Sequence, residues 1–477
     1  MTARGPAAPP PAGARALALR VLERVAEAGA YADLALRAEL ARSALAPRER
    51  ALATELAYGT LRWRGRLDFL LAQVVDRPLA GLEPRVRELL RLGAYQIAFC
   101  DRIPEAVAVS ETVRLAHAAG LGRAAGLANA ALRRLARERG SLAPPALAGD
   151  PLGHLVHGLS VPAWVAERWL AAYGPAEAAA LAAALNQPAP RTVRANRLRT
   201  RRDALLAELR GRFPDATPCR MAPDGVRLGG PGDPVRDPAF VEGRMTVQDE
   251  ASQLVVELLD PRPGECVLDA CAAPGAKATA IAERIAPGGL VVAADRHERR
   301  LALVARDAAR LGVTDHVTTV CADATHGLPE APRPGGYARV LVDAPCSGLG
   351  AWRRNPDARW RLVPGAPAQL AALQLAILRA AALRLAPGGA LVYSTCTLAP
   401  EENEAVIDAL FADTRLVGTL GLRRTPRAAL PASLAGPTAP PLLDADGALR
   451  TLPHRHDTDG FFAVRLERED PRACARS

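Results

Sequence analysis

The sequence predicts an α/β protein built around a mostly parallel, doubly wound sheet, preceded by an all-helical domain and a small α+β module. Three observations predict it. From Met245 onwards, short apolar strands alternate with helical segments. From Ala14 to about Gly140, apolar residues recur at helical spacing with few exceptions. Between the two lies a stretch of mixed pattern, and a chain of 477 residues is too long for one ordinary core.

Residues 1–13, rich in Pro and Ala, read as a disordered tail without an apolar signal core. The helical domain follows over residues 14–140. Leu17, Val21 and Val25 share one face, as do Val86, Leu89, Leu90 and Ile97, and then Leu127, Leu132 and Leu135. Breaks fall at Pro47, Pro78, Gly81, Pro84, Pro104 and Gly120, giving several short helices in a bundle. Arginines crowd this region, notably Arg62, Arg64 and Arg66, then Arg133, Arg134, Arg137 and Arg139. They fit a solvated face and a phosphate-contacting surface equally well. Residues 141–151 read as a linker. The α+β module spans residues 152–244, with helix from Trp164 to Leu185, an extended basic segment from Arg191 to Arg197, and a helix from Asp203 to Leu209.

The doubly wound domain covers residues 245–470. Its predicted strands are Cys266–Asp269, Leu290–Asp295, Val317–Asp323, Val340–Asp343 and Ala390–Ser394, with a last strand over Phe461–Leu466. Helices are expected over Arg296–Leu311 and Gln369–Leu385. In such sheets ligands bind beyond the carboxyl ends of the strands, at the switch in strand order.

Composition narrows the function. A formal net charge of +10 favours a polyanionic partner such as nucleic acid. Aromatic residues make up only 4%, so binding is expected to rely on arginine and backbone contacts more than on a stacking platform. The eight cysteines (100, 219, 266, 271, 321, 346, 396 and 474) form no paired framework and no C-x-x-C, which argues against structural disulfides and zinc. His154 with His157, and His454 with His456, lack thiolate or acidic companions, so no metal site is expected. No run resembles a membrane span. The expectation is a cytoplasmic protein with reduced thiols, acting as a monomer.

Lysine is nearly absent. Of 61 basic residues, all but Lys277 are arginine. Where arginine serves as the general cation, a surviving lysine marks a place where a compact ammonium is needed and a planar guanidinium does not fit. Lys277 ends the turn Cys271-Ala272-Ala273-Pro274-Gly275-Ala276-Lys277 after the first strand. That turn lacks the glycine spacing of a pyrophosphate-binding loop, which disfavours NAD, yet its small residues allow a ligand close to the backbone.

Asp269, Asp295, Asp323 and Asp343 each end a predicted strand. One such aspartate commonly caps the next helix; four in succession match a nucleoside-containing cofactor. Asp295 suits the ribose hydroxyls and Asp323 the adenine edge. Cysteine on an apolar strand is usually a small buried hydrophobe, the reading kept for Cys266 and Cys321. Cys346 and Cys396 differ, because both fall just past strands expected to be neighbours. That placement would bring two thiols and Asp343 to one cleft. The arrangement suits methylation of cytosine at carbon 5: a thiolate adds to carbon 6 and makes carbon 5 nucleophilic. A protonated Asp343 would offset charge at ring nitrogen 3, a base removes the carbon 5 proton, and the target cytidine must leave its stack.

The stretches DACAAPGAK, DAPCSGLGAWRRNPDARW, YSTCTLAPEENE and GFFAVRL resemble the Sun/NOL1/NOP2 (RsmB/NOP) family of RNA cytosine-5 methyltransferases. The resemblance implies a class I, Rossmann-like methyltransferase fold using S-adenosyl-L-methionine. It implies that Cys396 is the nucleophile, that Cys346 assists release of the product, and that the 271–277 turn, Asp295, Asp323 and Asp343 contact the cofactor. Residues 14–140 resemble a NusB-like RNA-binding domain, an N-terminal fusion typical of the branch that methylates 16S ribosomal RNA. The family usually carries Gly-Gly-Lys where this chain has Gly275-Ala276-Lys277. Alternatives are methylation of transfer RNA or another ribosomal site and, in a different class, a non-catalytic RNA-binding or antitermination factor; the intact Cys346, Cys396, Asp343 and Lys277 speak against the last.

Overall fold

The computed structural model describes residues 13–435 and 440–471. The tail expected over residues 1–13 lies, apart from Gly13, outside them, as does Cys474. Two compact units are present. One comprises residues up to Gln187 together with Trp352–Pro364, and the other Pro188–Ala351 together with Gly365 onwards.

The helical unit contains Ala14–Ala28, Ala32–Ala41, Pro47–Arg62, Arg64–Val74, Pro84–Phe99, Glu105–Ala118 and Ala125–Glu138. Pro47 and Pro84 are starts as much as breaks. Each occupies the first helical turn, where its missing N–H has no intrahelical partner to lose. Leu17, Val21, Leu89, Leu90, Ile97, Leu132 and Leu135 are buried in one core, with Val25 and Leu127 packed at its edge. The helix Ala163–Leu185 bends at Gly174, whose φ of 72° only glycine adopts freely, followed by Pro175. Arg62 is buried and Arg64 and Arg66 are half-buried, so this triplet is not a solvated face.

In the second unit, β1 (Arg191–Ala195), β2 (Thr217–Pro218), β3 (Gly225–Leu228) and β4 (Met245–Val247) form an antiparallel sheet in the order β2-β3-β1-β4. The larger sheet contains β5 (Cys266–Asp269), β6 (Leu290–Asp295), β7 (Val317–Cys321), β8 (Tyr337–Asp343), β9 (Leu385–Thr395), β10 (Leu422–Arg424), β11 (Leu449–Thr451) and β12 (Phe461–Arg468). Its order is β10-β12-β9-β8-β5-β6-β7, with β11 on β12. The pairs β9-β8, β8-β5, β5-β6 and β6-β7 are parallel, while β12 runs antiparallel to β9 and β10 to β12. The doubly wound sheet is therefore the one expected.

From β5 the chain builds outward through β6 and β7, then returns to place β8 on the other side. The switch in strand order thus lies between β5 and β8. Helices Ala276–Ile285, Glu298–Leu311 and Ala366–Ala382 connect the strands. Val267, Val291, Ile281 and Val304 are buried in one core layer, and Leu268, Val340, Leu378 and Leu391 in another. Two expectations need correction. β7 ends at Cys321, so Asp323 lies two residues past the strand rather than at its end. Cys321 is exposed, not buried, because β7 is the edge strand and pairs with β6 alone.

Candidate active site

The four carboxylates meet different fates. Asp269 closes β5 and is buried, and neither of its carboxylate oxygens has a hydrogen-bond partner. Burial, and then the charge of nearby Asp343, push its carboxyl up to about 7. Asp295 is buried at the end of β6, accepts the His297 amide at 2.9 Å and lies 3.6 Å from Arg300. Asp323 is exposed and accepts the Thr325 hydroxyl at 2.6 Å and its amide at 2.9 Å, closing a local turn that holds its carboxyl below the usual range. Asp343 ends β8 and is half-buried.

Lys277 answers Asp343. Its ammonium donates to Asp343 Oδ2 at 2.6 Å, while the Ser394 hydroxyl donates to Oδ1 at 2.8 Å. Burial opposes the charge on Lys277, but the attraction and hydrogen bond of Asp343 outweigh it and raise its pKa. The ammonium also lies 5.2 Å from the centre of the Phe461 ring. The turn before it reaches this position through Gly275, at φ +113°, where an added Cβ would stand 3.0 Å from the Val304 backbone. Ala276 only begins the following helix. The positive φ therefore falls on the glycine this chain retains, and Ala276 is accommodated where the family usually has a second glycine.

The two thiols meet. Asp343 and Ser394 are register partners of the parallel β8-β9 pair, so the residues just past both strand ends share one cleft. Cys346 Sγ and Cys396 Sγ are 3.3 Å apart. The hydrogen bond to Cys396, and then burial, push the Cys346 thiol well up. Beside them a cavity of about 270 Å³ is lined by Ala270, Cys271, Ala273, Asp295, Asp323, Asp343, Cys346 and Cys396, with Leu373 and Ile377 on its apolar side. Of the 271–277 turn, Cys271 and Ala273 line the cavity, while Ala272, Pro274, Gly275, Ala276 and Lys277 are not among its lining residues.

Several supporting groups were not anticipated. Glu402 is completely buried and accepts the Ser347 amide at 2.8 Å and the Gln374 side-chain amide at 2.9 Å. Gln374 also donates to the Pro345 carbonyl at 2.9 Å. Asn403 donates to Thr397 O at 3.1 Å and accepts the Thr395 hydroxyl at 2.6 Å. Together these fix the backbone on either side of both cysteines. Arg194 of β1 donates to the Ala276 carbonyl at 2.8 Å and forms a buried pair with Glu283 at 2.7 Å. A residue of the basic segment thus braces the cofactor turn. The quoted YSTCTLAPEENE stretch already contained Glu402 and Asn403, but nothing in the sequence marked Gln374 or Arg194.

The chain matches the family model for the 16S rRNA methyltransferase RsmB/F over residues 256–467. It matches the NusB family over residues 12–137 and the ferredoxin-like domain of RsmF/B-like methyltransferases over residues 161–234. It is 37% identical over 459 residues to the probable ribosomal RNA small subunit methyltransferase B of Synechocystis, covering 95% of this chain and 99% of the relative. To the ribosomal RNA small subunit methyltransferase B of Sodalis glossinidius it is 38% identical over 431 residues, covering 90% and 92%. The crystal structure of PH0851 aligns with a TM-score of 0.76 at 25% identity, over 98% of this chain and 100% of that one. A methyltransferase homolog protein from Pyrococcus horikoshii aligns with a TM-score of 0.54 at 27% identity, over 67% and 99%.

Proposed function

The chain belongs to the 16S rRNA methyltransferase RsmB/F family, and on that premise we propose that it methylates carbon 5 of a cytidine in 16S ribosomal RNA with Cys396 as covalent nucleophile. The observation that carries the proposal is the 3.3 Å approach of Cys346 and Cys396 beside the Lys277–Asp343 pair. Neither an RNA-binding factor without chemistry nor an exocyclic amine methylase needs two thiols in one cleft.

The cofactor cavity fits S-adenosylmethionine, the methyl donor. Its lining sets Asp295, Asp323 and Asp343 beside Arg296 and Arg300, giving polar groups of both signs for a ligand that carries a sulfonium, an ammonium and a carboxylate, and the small side chains of Ala270 and Ala273 leave room close to the backbone. Asp295 would hold the ribose hydroxyls and Asp323 the adenine edge.

The chain's own residues then divide the work. A Cys346 thiol donating across the 3.3 Å gap to Cys396 is the arrangement that a Cys396 nucleophile would need. The Cys396 thiolate adds to carbon 6 of the ring, forming a carbon–sulfur bond and moving electron density onto carbon 5 and nitrogen 3. Asp343 accepts hydrogen bonds from Lys277 and Ser394. The proton it delivers towards nitrogen 3 comes from the Lys277 ammonium behind it. After methyl transfer, a base takes the carbon 5 proton, that C–H electron pair re-forms the carbon 5–carbon 6 double bond as the carbon–sulfur bond breaks, the Cys396 thiolate leaves, and the proton at nitrogen 3 returns by way of Asp343. Cys346 assists this last step.

Replacing Cys396 by Ala is expected to abolish methyl transfer to RNA. Replacing Cys346 by Ala is expected to leave a protein–RNA complex that survives denaturing electrophoresis. An adduct trapped by the Cys396 variant instead would exchange the two roles, and retained transfer would overturn the mechanism. Bisulfite mapping of ribosomal RNA from cells with and without the protein identifies the nucleotide.

A further inference from the structure

The helical unit contains an imbalance of charge that the catalytic chemistry does not use. Arg64, Arg87 and Arg91 lie together with two carboxylates, Asp68 and Glu88. Both carboxylates are spent on Arg91. Asp68 forms a bidentate pair with it, 2.7 Å at each oxygen, and Glu88 closes on the same guanidinium. Arg64 and Arg87 are left without an ion pair or hydrogen bond among the described residues. The Arg87 Nε is buried with no partner, and Arg64 has only the Trp360 ring, 5.3 Å from its guanidinium carbon.

Two cavities meet at these residues. One, of about 290 Å³, is lined by Arg64, Arg87, Glu88, Asp357, Trp360 and Arg361 among others; the other, of about 720 Å³, by Arg64, Asp68, Phe69, Arg87, Arg91 and His157 among others. Arg361 is already paired with Asp357 at 3.2 Å, so it contributes little free charge. Burial, and then repulsion from Arg91, lower the pKa of Arg64. A half-buried cation held against a like charge is costly unless an anion completes the site. Two guanidinium forks opening on shared space fit the oxygens of a phosphate, which arginine binds in a bidentate manner.

We propose that Arg64 and Arg87 form a phosphate pocket in the helical unit and that its occupant is a backbone phosphate of the RNA substrate. The proposal rests on the function inferred above for its choice of RNA. A free inorganic phosphate shares the chemistry, and the experiment separates the two.

The full chain and its Arg64→Gln/Arg87→Gln variant are titrated with unmodified full-length 16S ribosomal RNA transcript across a range of salt. The expected result is about ten-fold weaker binding, with the slope of log K against log salt shallower by about 0.7 to 1, the value of one phosphate contact. The affinity for S-adenosylmethionine is expected to be unchanged. Wild-type affinity and slope in the double variant would overturn the pocket. Should the double variant melt early, Arg64→Gln and Arg87→Gln are measured singly by the same readout, each expected to weaken binding several-fold. If inorganic phosphate raises the melting temperature of the wild type but not of the variant, while RNA binding is equal in both, the site takes free phosphate and the assignment to RNA fails. A wild-type chain that binds the transcript but transfers no methyl would overturn the proposed function and leave the pocket standing.

Discussion

Replacing Asp269 by Asn is expected to stabilise the protein above neutral pH and to weaken its hold on S-adenosylmethionine. Asp269 is fully buried, and neither carboxylate oxygen finds a hydrogen bond. Its carboxyl rises from the ordinary 3.8 to about 7, through burial first and the Asp343 charge second. Between those two values the folded protein keeps a proton that the unfolded chain has lost. The contribution of Asp269 to stability is therefore greatest below about pH 4, falls as pH rises, and levels off above about 7. At roughly 1.4 kcal/mol per pH unit, the loss is about 4 kcal/mol. An amide cannot ionise, so the variant escapes it. One kcal/mol moves the melting temperature of a unit this large by roughly 2 to 4 °C. The variant should thus gain up to about 8 to 16 °C on the wild type between acid and pH 8. Thermal melts followed by circular dichroism over that range measure the difference. Parallel profiles for the two proteins would refute the reasoning. A cation bound nearby favours the ionised carboxylate, so cofactor affinity in the wild type should grow with pH over the same window. Calorimetric titration of the Asn variant should show that dependence gone.

The other two predictions near the site concern fit. Lys277→Arg places a broader cation where an ammonium meets Asp343 at 2.6 Å in a nearly closed position; single-turnover methyl transfer is expected to fall at least about 100-fold, with cofactor affinity less affected. A rate near that of the wild type would mean that the lone lysine is not required as an ammonium. Gly350→Ala brings a Cβ within 2.1 Å of the Gly460 carbonyl oxygen, in the segment that follows Cys346. A loss of about 1–3 kcal/mol is expected in denaturant unfolding, and an unchanged midpoint would contradict the close approach of the two backbones.

How much was legible depended on how local the signal was. The carboxylates of Asp269, Asp295 and Asp343 could be placed because an apolar run ending in Asp is a pattern within one strand. Asp323 could not, because Asp-Ala-Thr forms its own turn and β7 stops two residues earlier. Cys321 misled for a related reason: on an edge strand, an apolar residue has a neighbour on one side only. The meeting of Cys346 and Cys396 followed from strand order, which the alternating pattern supplied. Their supports did not. Gln374 stands on a helix and Arg194 in a basic strand, where sequence alone suggests solvated residues. Only the fold brings the one to Pro345 and the other to the carbonyl of Ala276.

The Arg-Arg-Asn-Pro-Asp-Ala-Arg-Trp run after Cys346 shows the limit most sharply. Its composition suggests an exposed charged loop, yet residues 352–364 belong to the helical unit, and Arg359 is almost completely buried there. Burial of a guanidinium without a carboxylate is costly, and the fold offsets it with neutral oxygens. Arg359 donates to Arg62 O and Ser160 O at 3.2 Å each, to Asn186 Oδ1 at 2.9 Å and to Leu185 O at 3.3 Å. Its face lies 4.8 Å from the Trp352 ring centre. Three of these bonds leave Nη1 and the one to Leu185 O leaves Nη2, so both arms of the fork are used. Arg359→Lys keeps the charge but has donors on one atom only, so at least the Leu185 oxygen served by the second arm is left unsatisfied, at about 1–3 kcal/mol. A loss of about 1–3 kcal/mol is therefore expected in the unfolding of the helical unit, followed by urea denaturation. Wild-type stability in that variant would mean that charge alone, and not the geometry of the fork, holds the segment in place.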